Sequence, residues 1–275
     1  MEDKINLILD SEFPKLIPYE LLDEYLVFAN EKLKNTLRAN CLRIYLEGII
    51  DLFIKDIVIK EANITKEQWN EKDLFEHVNL IDEYYAKGFK NKFHRLRKIG
   101  NKGSHYGGNP SDSEIRDGLK IVQTLVEDIF VRYFIKHPLG SENEVMTILS
   151  ALPPRSRIYI LSVLWKNDKS NIDIIDKLSM AYLKNGDKDG SIKFLNDLLD
   201  NNYITKQYHT TFLQKINNLS KYLGHFDISR NIMDTKRIFQ LLCTDNVINE
   251  YQEFINIFSI LIKGYDTINT DLSMI

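Results

Sequence analysis

The sequence predicts an all-α protein. Apolar residues recur at three- and four-residue spacing through most of the chain, which is the pattern of amphipathic helices. No β-branched run of alternating polarity, bounded by hairpin turns, interrupts this pattern. Several helix starts also carry a Ser or Thr followed three residues later by Glu or Gln, as capping boxes require. We therefore expect a helical bundle followed by an array of helical hairpins.

The first half of the chain predicts five helices. Residues 1–18 carry Pro14 and Pro18 and predict an irregular lead-in. The helices expected after it cover residues 19–34, 35–58, 65–85, 88–106 and 112–136. The second is apolar nearly all round, as expected of the central helix of a bundle. Thr65-x-x-Gln68 and Ser111-x-x-Glu114 predict capping boxes for the third and fifth helices.

A break in the helical pattern predicts a domain boundary. His137-Pro138-Leu139-Gly140 cannot continue a regular helix, and Ser141-x-x-Glu144 begins another helical pattern. We therefore predict two domains, with residues 1–138 forming the bundle and residues 139–275 forming the second domain.

The second half predicts shorter helices in pairs. They are expected at residues 143–150, 154–166, 171–185, 187–200, 205–222, 225–242 and 246–263. Ala181-Tyr182-Leu183, the Gly186-Asp187 turn and Leu198-Leu199 together resemble a tetratricopeptide-type hairpin. A fainter second copy is expected from Phe212 to Phe239.

Composition and cysteine content predict a soluble cytoplasmic protein. The chain is 44% hydrophobic and 27% charged, with a formal net charge of -3. It begins Met-Glu-Asp-Lys and has no apolar run that would predict a signal peptide or a membrane span. Cys41 and Cys243 lie in apolar helical patterns without metal-ligand spacing, so we expect both to be reduced. We expect no metal and no cofactor.

One stretch of the fourth predicted helix carries residues suited to chemistry. Arg97, Asn101 and His105 are four residues apart, so a helix through them would place all three on one face. Gly100 and Gly103 lie between them although each glycine costs a helix about 1 kcal/mol. They indicate close approach of another helix, a second subunit or a ligand.

The same stretch is strongly basic. Seven Lys or Arg residues occur from Lys87 to Lys102, and no Asp or Glu occurs between Glu83 and Asp112. Such a run is either a solvated helix face or a contact surface for nucleic acid. The candidate nucleic-acid contacts are Lys90, Lys92, Arg95, Lys98 and Lys102.

An opposite-charge pair on the second predicted helix is a candidate support for this stretch. Arg43 and Glu47 are four residues apart within an otherwise apolar helix. They are either a structural ion pair or residues that orient a site on the neighbouring helix.

Arg97-x-x-Gly100-Asn101-x-x-x-His105, preceded by a helix with Arg43 and Glu47, resembles the DUF4145 branch of the HEPN superfamily. The resemblance covers residues 19–137. It implies a bundle of four or five helices, of a kind found in prokaryotic toxins and anti-phage proteins. Ribonuclease members carry an Arg and a His on paired motifs that meet at a dimer interface and cleave RNA without a metal. Here Gly100 stands directly before Asn101, and Arg97 lies one helical turn earlier than the family's arginine.

Metal-independent RNA cleavage needs a base for the ribose 2′-OH, an acid for the leaving oxygen, and positive charge near the phosphorane. His105 is the candidate base or acid, because histidine changes its charge near neutral pH. Arg97 is the candidate phosphate ligand through its planar guanidinium. Asn101 would orient either group. Since each chain offers one such histidine, a homodimer would bring two into one cleft.

An alternative is a catalytically inactive HEPN adaptor. Its basic helix would bind RNA or a nucleotide without cleavage, and its C-terminal helices would bind a partner protein. The remaining histidines show no metal-ligand spacing and are expected to be surface or packing residues; they are His77, His94, His137, His209 and His225.

Overall fold

The computed structural model describes residues 16–105, 107–140, 143–243 and 250–265, and all regular structure within them is helical. The prediction of an all-α protein is confirmed. The α-helices are α1 Leu22–Ala29, α2 Asn35–Phe53, α3 Lys55–Glu61, α4 Lys66–Asn70, α5 Leu74–Tyr84, α6 Phe89–Ser104, α7 Asp112–Val122, α8 Leu125–Lys136, α9 Asn143–Leu149, α10 Pro154–Asn167, α11 Ile172–Lys184, α12 Lys188–Asp200, α13 Lys206–Ser220, α14 Ile232–Leu242 and α15 Gln252–Ile262. Short 3-10 helices cover Tyr19–Leu21 and Leu223–His225.

The described residues form two compact units. The first is Ile17–Val126, and the second contains Leu16 and the described residues from Glu127 onward. The change from one unit to the other falls within α8. The predicted domains, residues 1–138 and 139–275, stay a prediction.

The first unit is built around α2. Its inward side carries Leu42, Leu46 and Ile49, none of which is exposed to solvent. α2 packs most extensively against α6 and α1, and it also contacts α7. The prediction that this helix is central is therefore confirmed. The helix is not buried on every side, however, because Leu37 and Ile44 on its outer side are about half exposed.

Both predicted capping boxes within the described residues are present. Thr65 accepts a hydrogen bond from the Gln68 N–H, and Gln68 accepts one from the Thr65 N–H. Ser111 and Glu114 make the same reciprocal pair at the start of α7. Ser141 of the third predicted box lies outside the described residues.

Several predicted helices are shorter than expected or divided. The helix expected at 65–85 is α4 and α5, because Asp73 and Glu76 form a further capping box that starts a new helix. The helix expected at 35–58 divides at Ile54, whose φ of -121° departs from helical geometry. The helix expected at 112–136 divides after Val122, where the Thr124 hydroxyl and N–H both donate to the Ile121 carbonyl. The first predicted helix, 19–34, is reduced to a 3-10 turn and α1, which ends at Ala29.

The predicted hairpin in the second unit is α11 and α12. Gly186 adopts a positive φ of 83° in the turn, and Asp187 caps α12 by accepting from the Gly190 N–H at 2.8 Å. α13 packs against both helices of the hairpin. The shared core includes Ile175, Leu183, Leu195, Leu198, Phe212 and Ile216.

The region predicted as a second hairpin copy has a different arrangement. The helix expected at 225–242 starts only at Ile232, because Asn231 caps it by accepting from the N–H groups of Met233 and Asp234. Its principal packing partners are α15 and α9, and Phe239 stacks on Phe258 of α15 at 4.7 Å. The predicted helix 246–263 is described only from residue 250, where α15 covers Gln252–Ile262.

Candidate nucleic-acid interface

Gly100 and Gly103 allow α6 to lie directly against α2. A Cβ atom added at Gly100 would lie 2.6 Å from the Arg43 Cβ, and one at Gly103 would lie 2.7 Å from the carbonyl oxygen of Thr36. Both separations are shorter than real Cβ contacts allow. Of the alternatives that the sequence left open, close packing of a neighbouring helix accounts for these glycines.

This close packing brings Arg43, Glu47 and Asn101 into one hydrogen-bonded network. The Arg43 Nε donates to the Glu47 carboxylate at 2.8 Å, and its Nη1 donates to the Asn101 side-chain oxygen at 3.1 Å. The side chains of Arg43 and Glu47 are 37% and 45% exposed, so the network lies at the surface. The sequence-predicted pair is thus both an ion pair and a direct support for Asn101.

Ser104 and Asn40 extend the polar contact between the two helices. The Ser104 hydroxyl lies 2.8 Å from the Asn40 side-chain oxygen and 3.2 Å from the Gly100 carbonyl. The sequence gives no sign of this contact, because side chains far apart in the chain leave no local pattern where they meet.

Arg97 is not part of this network. Its guanidinium lies over the Phe75 ring of α5, 5.0 Å from the ring centroid, and its Nε is buried without a hydrogen-bond partner among the described residues. His94 stacks on the same Phe75 ring at 5.0 Å. Helical spacing placed Arg97 and Asn101 on one face, but the aromatic ring draws the long Arg97 side chain towards α5. No hydrogen bond among the described residues links the Arg97 side chain to Asn101 or His105.

His105 lies beyond the end of α6. The helix expected at 88–106 ends at Ser104, and His105 follows in an extended conformation with φ -96° and ψ 140°. Its N–H still bonds to the Asn101 carbonyl at 3.2 Å, and its own carbonyl accepts from the Gly108 N–H at 3.0 Å. The reversal after the helix uses Gly107, whose φ is 79°. The imidazole is exposed, and helical spacing no longer determines its direction.

The basic face of α6 is partly neutralised by α7. Arg95 pairs with Asp117 at 2.9 Å, and Lys102 pairs with Glu114 at 2.5 Å. The Lys102 hydrogen bond, helped by the Ser111 N–H, lowers the pKa of Glu114 to about 2. Two of the five predicted nucleic-acid contacts are therefore engaged with carboxylates.

The other three predicted contacts differ in exposure. Lys90 and Lys98 are exposed, and in the described part of the chain neither forms an ion pair. Lys92 is half-buried. Lys90 and Lys98 are therefore the predicted contacts that are both exposed and not paired with a described carboxylate.

A groove of about 360 Å³ adjoins the Arg43–Glu47 pair on the side of α4 and α5. Trp69 and His77 form its aromatic side, with ring centroids 3.9 Å apart and planes within 6° of parallel. His77 Nε2 lies 2.9 Å from the Trp69 carbonyl oxygen, which holds the ring in place. The charged residues lining the groove are Arg43, Glu47, Asp51, Lys55, Lys72 and Asp73.

The stack on Trp69 gives His77 a packing role, one of the two roles, surface or packing, that the sequence predicts for it. The groove itself was missed, because Trp69 and His77 meet only through the turn between α4 and α5. The capping signature of Asp73 and Glu76 was the one local signal of that turn.

Two features are absent from the described residues, a metal-binding cluster and a membrane-spanning helix. No group of three or more His, Cys, Asp or Glu side chains within them is arranged to hold a metal ion. No helix among them is both long and apolar enough to cross a membrane.

No protein-family model, curated protein sequence or solved structure matches the chain significantly. The likeness to HEPN domains therefore depends on the residues from Arg97 to His105, with Arg43 and Glu47, and on nothing wider.

Proposed function

We propose that the helical bundle Ile17–Val126 binds RNA through the surface that carries Arg43, Asn101 and His105, and that a homodimer cleaves it without a metal. The observation that carries the proposal is the hydrogen bond from Arg43 to Asn101, one helical turn from the exposed His105. The prokaryotic anti-phage or toxin setting comes from the HEPN (DUF4145-type) resemblance.

In this proposal Arg43 takes the phosphate-binding role that the sequence pattern assigned to Arg97. A guanidinium has five N–H donors, and the contacts with Glu47 and Asn101 use the Nε and one Nη1 donor. The Nη2 donors remain for a phosphate oxygen. Glu47 fixes the plane of the guanidinium, while Asn101 keeps its amide N–H₂ for a second phosphate or ribose oxygen.

The proposed cleavage is attack of the ribose 2′-oxygen on the adjacent phosphorus. One His105 removes the 2′-OH proton, the new O–P bond forms a cyclic phosphate, and the 5′-oxygen leaves with a proton from a second His105. Arg43 stabilises the negative charge on the phosphorane. Two histidines are required, and each chain contributes one.

An exposed apolar strip on α2 supports a second copy as the partner. Leu37 and Ile44 are 46% and 50% exposed, and their spacing of seven residues places them on one side of the helix. Large apolar side chains exposed together are typical of interaction surfaces. This strip is on the same helix as Arg43, so a dimer formed through it would bring the two sites near each other.

A non-cleaving adaptor is the second candidate. Arg97 lies on Phe75, and Arg95 and Lys102 are paired with carboxylates, so the bundle offers less free positive charge to an RNA phosphate than its basic sequence indicates. The hairpin of α11 and α12 would then bind a partner protein.

RNA cleavage in EDTA separates the two candidates. Purified protein is incubated with tRNA, and wild type is compared with His105→Ala, Arg43→Gln and the matched control His225→Ala, which removes another exposed histidine. If the protein is a nuclease, His105→Ala should slow cleavage by about 10²–10⁴-fold, while His225→Ala should leave it unchanged. Binding without cleavage, weakened roughly tenfold by Arg43→Gln as expected for loss of a charge-assisted hydrogen bond, supports the adaptor. Absence of both binding and cleavage would reject both candidates.

Dimerisation is tested by sedimentation. Ile44→Asp should convert dimer to monomer, because it places a charge on the apolar strip. Ile135→Asp, at a 60% exposed position on α8, is the matched control and should leave the dimer intact. A wild-type monomer at the concentrations used for cleavage would remove the two-histidine mechanism.

A further inference from the structure

In the second unit, a small pocket is surrounded by more cations than carboxylates. It lies among α9, α10, α11 and α13 and has a volume of about 180 Å³, many times what one buried water needs. Its charged lining residues are Arg157, Lys177, Lys184, Lys215 and Asp176. Four positive side chains thus face a single carboxylate.

The carboxylate is already engaged. Both oxygens of Asp176 accept hydrogen bonds from the Lys215 Nζ, at 2.6 and 2.7 Å. Asp176 therefore does not balance the charge of the remaining three cations.

Arg157 is the most unusual member of the group. It is 7% exposed, and its Nε is buried with no hydrogen-bond partner among the described residues. The described residues also offer it no ion pair. A cation whose Nε is buried without an acceptor is unfavourable, because that N–H has lost its hydration and no hydrogen bond replaces it. Burial lowers the pKa of Arg157 to about 10, so the group is still positive at neutral pH.

Lys184 adds a second cation without a carboxylate partner in the described part of the chain. Its Nζ lies 5.2 Å from the centroid of the Phe226 ring. Burial lowers its pKa, and the charges of Arg157, Lys177 and Lys215 lower it further. The other three cations therefore lie close enough to disfavour the charge of Lys184. An anion in the pocket would relieve the repulsion among them.

We propose that this pocket binds a phosphate group, with Arg157 and Lys184 as its principal ligands. A guanidinium and an ammonium group converging on one cavity match the oxygen atoms of a phosphate. This site lies in the unit from Glu127 onward and does not depend on RNA binding by Ile17–Val126.

Lys184 also lines a neighbouring, larger pocket, which has room for an organic group attached to the phosphate. That pocket has a volume of about 670 Å³ and includes Tyr182, Ile158 and Pro154. A nucleoside monophosphate would place its phosphate beside Arg157 and its base in the larger pocket. Inorganic phosphate would occupy the smaller pocket alone.

Thermal unfolding and calorimetry test the proposal on the full chain. Wild type should unfold at a higher temperature in phosphate than in chloride of equal ionic strength, and calorimetry should detect phosphate binding. Arg157→Met should abolish both effects, and Lys184→Met should weaken binding at least tenfold. Lys193→Met, an exposed site on α12 outside the pocket, removes the same charge and should respond as wild type.

The stability of the variant separates loss of binding from misfolding. Arg157→Met removes a buried unpaired charge, so in chloride it should be at least as stable as wild type. Tighter binding of AMP than of inorganic phosphate would identify a nucleotide as the ligand, and equal binding would identify the free anion. Equal unfolding temperatures of wild type in phosphate and chloride, with no heat on titration of phosphate or AMP, would overturn the proposal. A response of Arg157→Met to phosphate like that of wild type would do the same.

Discussion

The Phe75 ring determines where the Arg97 side chain lies. Its two neighbours, the Arg97 guanidinium and the His94 imidazole, each lie 5.0 Å from the ring centroid. A cation over an aromatic face is worth about 0.5–1 kcal/mol at an exposed site. Arg97 therefore stabilises the contact between α5 and α6, and phosphate binding in the proposed site passes to Arg43.

The pKa of the His94 imidazole depends on the position of the Arg97 guanidinium. Burial lowers the His94 pKa, and the charge of Arg97 is the next largest cause, followed by Lys90 and Lys98. Arg97→Gln should therefore raise the His94 pKa, measured by NMR titration of the imidazole protons. Lys90→Gln should raise it less. Arg116→Gln, on α7, is the control and should leave it unchanged. A His94 pKa that does not respond to Arg97→Gln would show that the guanidinium lies elsewhere in solution.

At the scale of helices, the contact between α2 and α6 depends on the missing side chains of Gly100 and Gly103. Replacing glycine by alanine within an exposed helix usually stabilises it by about 1 kcal/mol. At Gly100 the new Cβ would lie 2.6 Å from the Arg43 Cβ and 3.4 Å from the Ala39 carbonyl oxygen. Neither neighbour is the movable end of a side chain, so the helices would have to separate.

Gly100→Ala should therefore destabilise the first unit by roughly 1–3 kcal/mol, the usual cost of overpacking. It should also lengthen the hydrogen bond from Arg43 to Asn101 and weaken RNA binding. Urea unfolding followed by Trp69 fluorescence in a Trp165→Phe background measures the first effect. Gly224→Ala in the second unit, followed by Trp165 fluorescence in a Trp69→Phe background, is the control, because a Cβ there has no neighbour within 4 Å and should leave stability nearly unchanged. A stabilised Gly100→Ala protein would contradict the close contact between the two helices.

Features that depend on neighbouring residues could be predicted from the sequence, whereas contacts between residues far apart in the chain could not. The capping boxes at Thr65 and Ser111 were predicted because both partners lie within three residues of each other. The break before α5 carried the same signature at Asp73 and Glu76, and it was overlooked within an apparently continuous helix. The direction of the Arg97 side chain depends on Phe75, which lies on another helix and leaves no mark on the spacing of Arg97, Asn101 and His105.

The second hairpin copy illustrates the same limit at the scale of helix packing. The apolar pattern of α14 was read correctly as a helix. However, that pattern cannot say which helix covers it, and its main partners are α9 and α15. The ring of Phe239 stacks on Phe258 of α15, a contact that the local pattern of apolar residues does not indicate.

The whole molecule carries one tryptophan in each compact unit, Trp69 in the first and Trp165 in the second. The unfolding of each unit can therefore be followed separately in the intact chain. This matters because the two units contain carboxylates whose pKa values are shifted in opposite directions. Glu127 in the second unit is raised to about 7, and Glu114 in the first is lowered to about 2.

Glu127 should make the second unit less stable as the pH rises. Burial raises its pKa, although the Ser156 hydroxyl donates to it at 2.8 Å. Between its ordinary pKa of 4.5 and about 7, the folded chain keeps a proton that the unfolded chain releases. The free energy of unfolding should therefore fall through this range, by at most about 3 kcal/mol. Glu127→Gln should remove the fall and be more stable than wild type at pH 8, measured by Trp165 fluorescence in a Trp69→Phe background.

Glu114 should have the opposite effect on the first unit. The hydrogen bond from Lys102 stabilises its charged form, so this stability is present above the ordinary pKa of 4.5 and is lost as the pH falls towards 2. Glu114→Gln should therefore lose less stability than wild type as the pH falls from 4.5 towards 2, as followed by Trp69 fluorescence. The same substitution should leave the Trp165 signal between pH 5 and 8 as in wild type. If Glu127→Gln left the Trp165 profile unchanged, the Glu127 carboxyl would be hydrated in solution, and the interior that raises its pKa would be open to water.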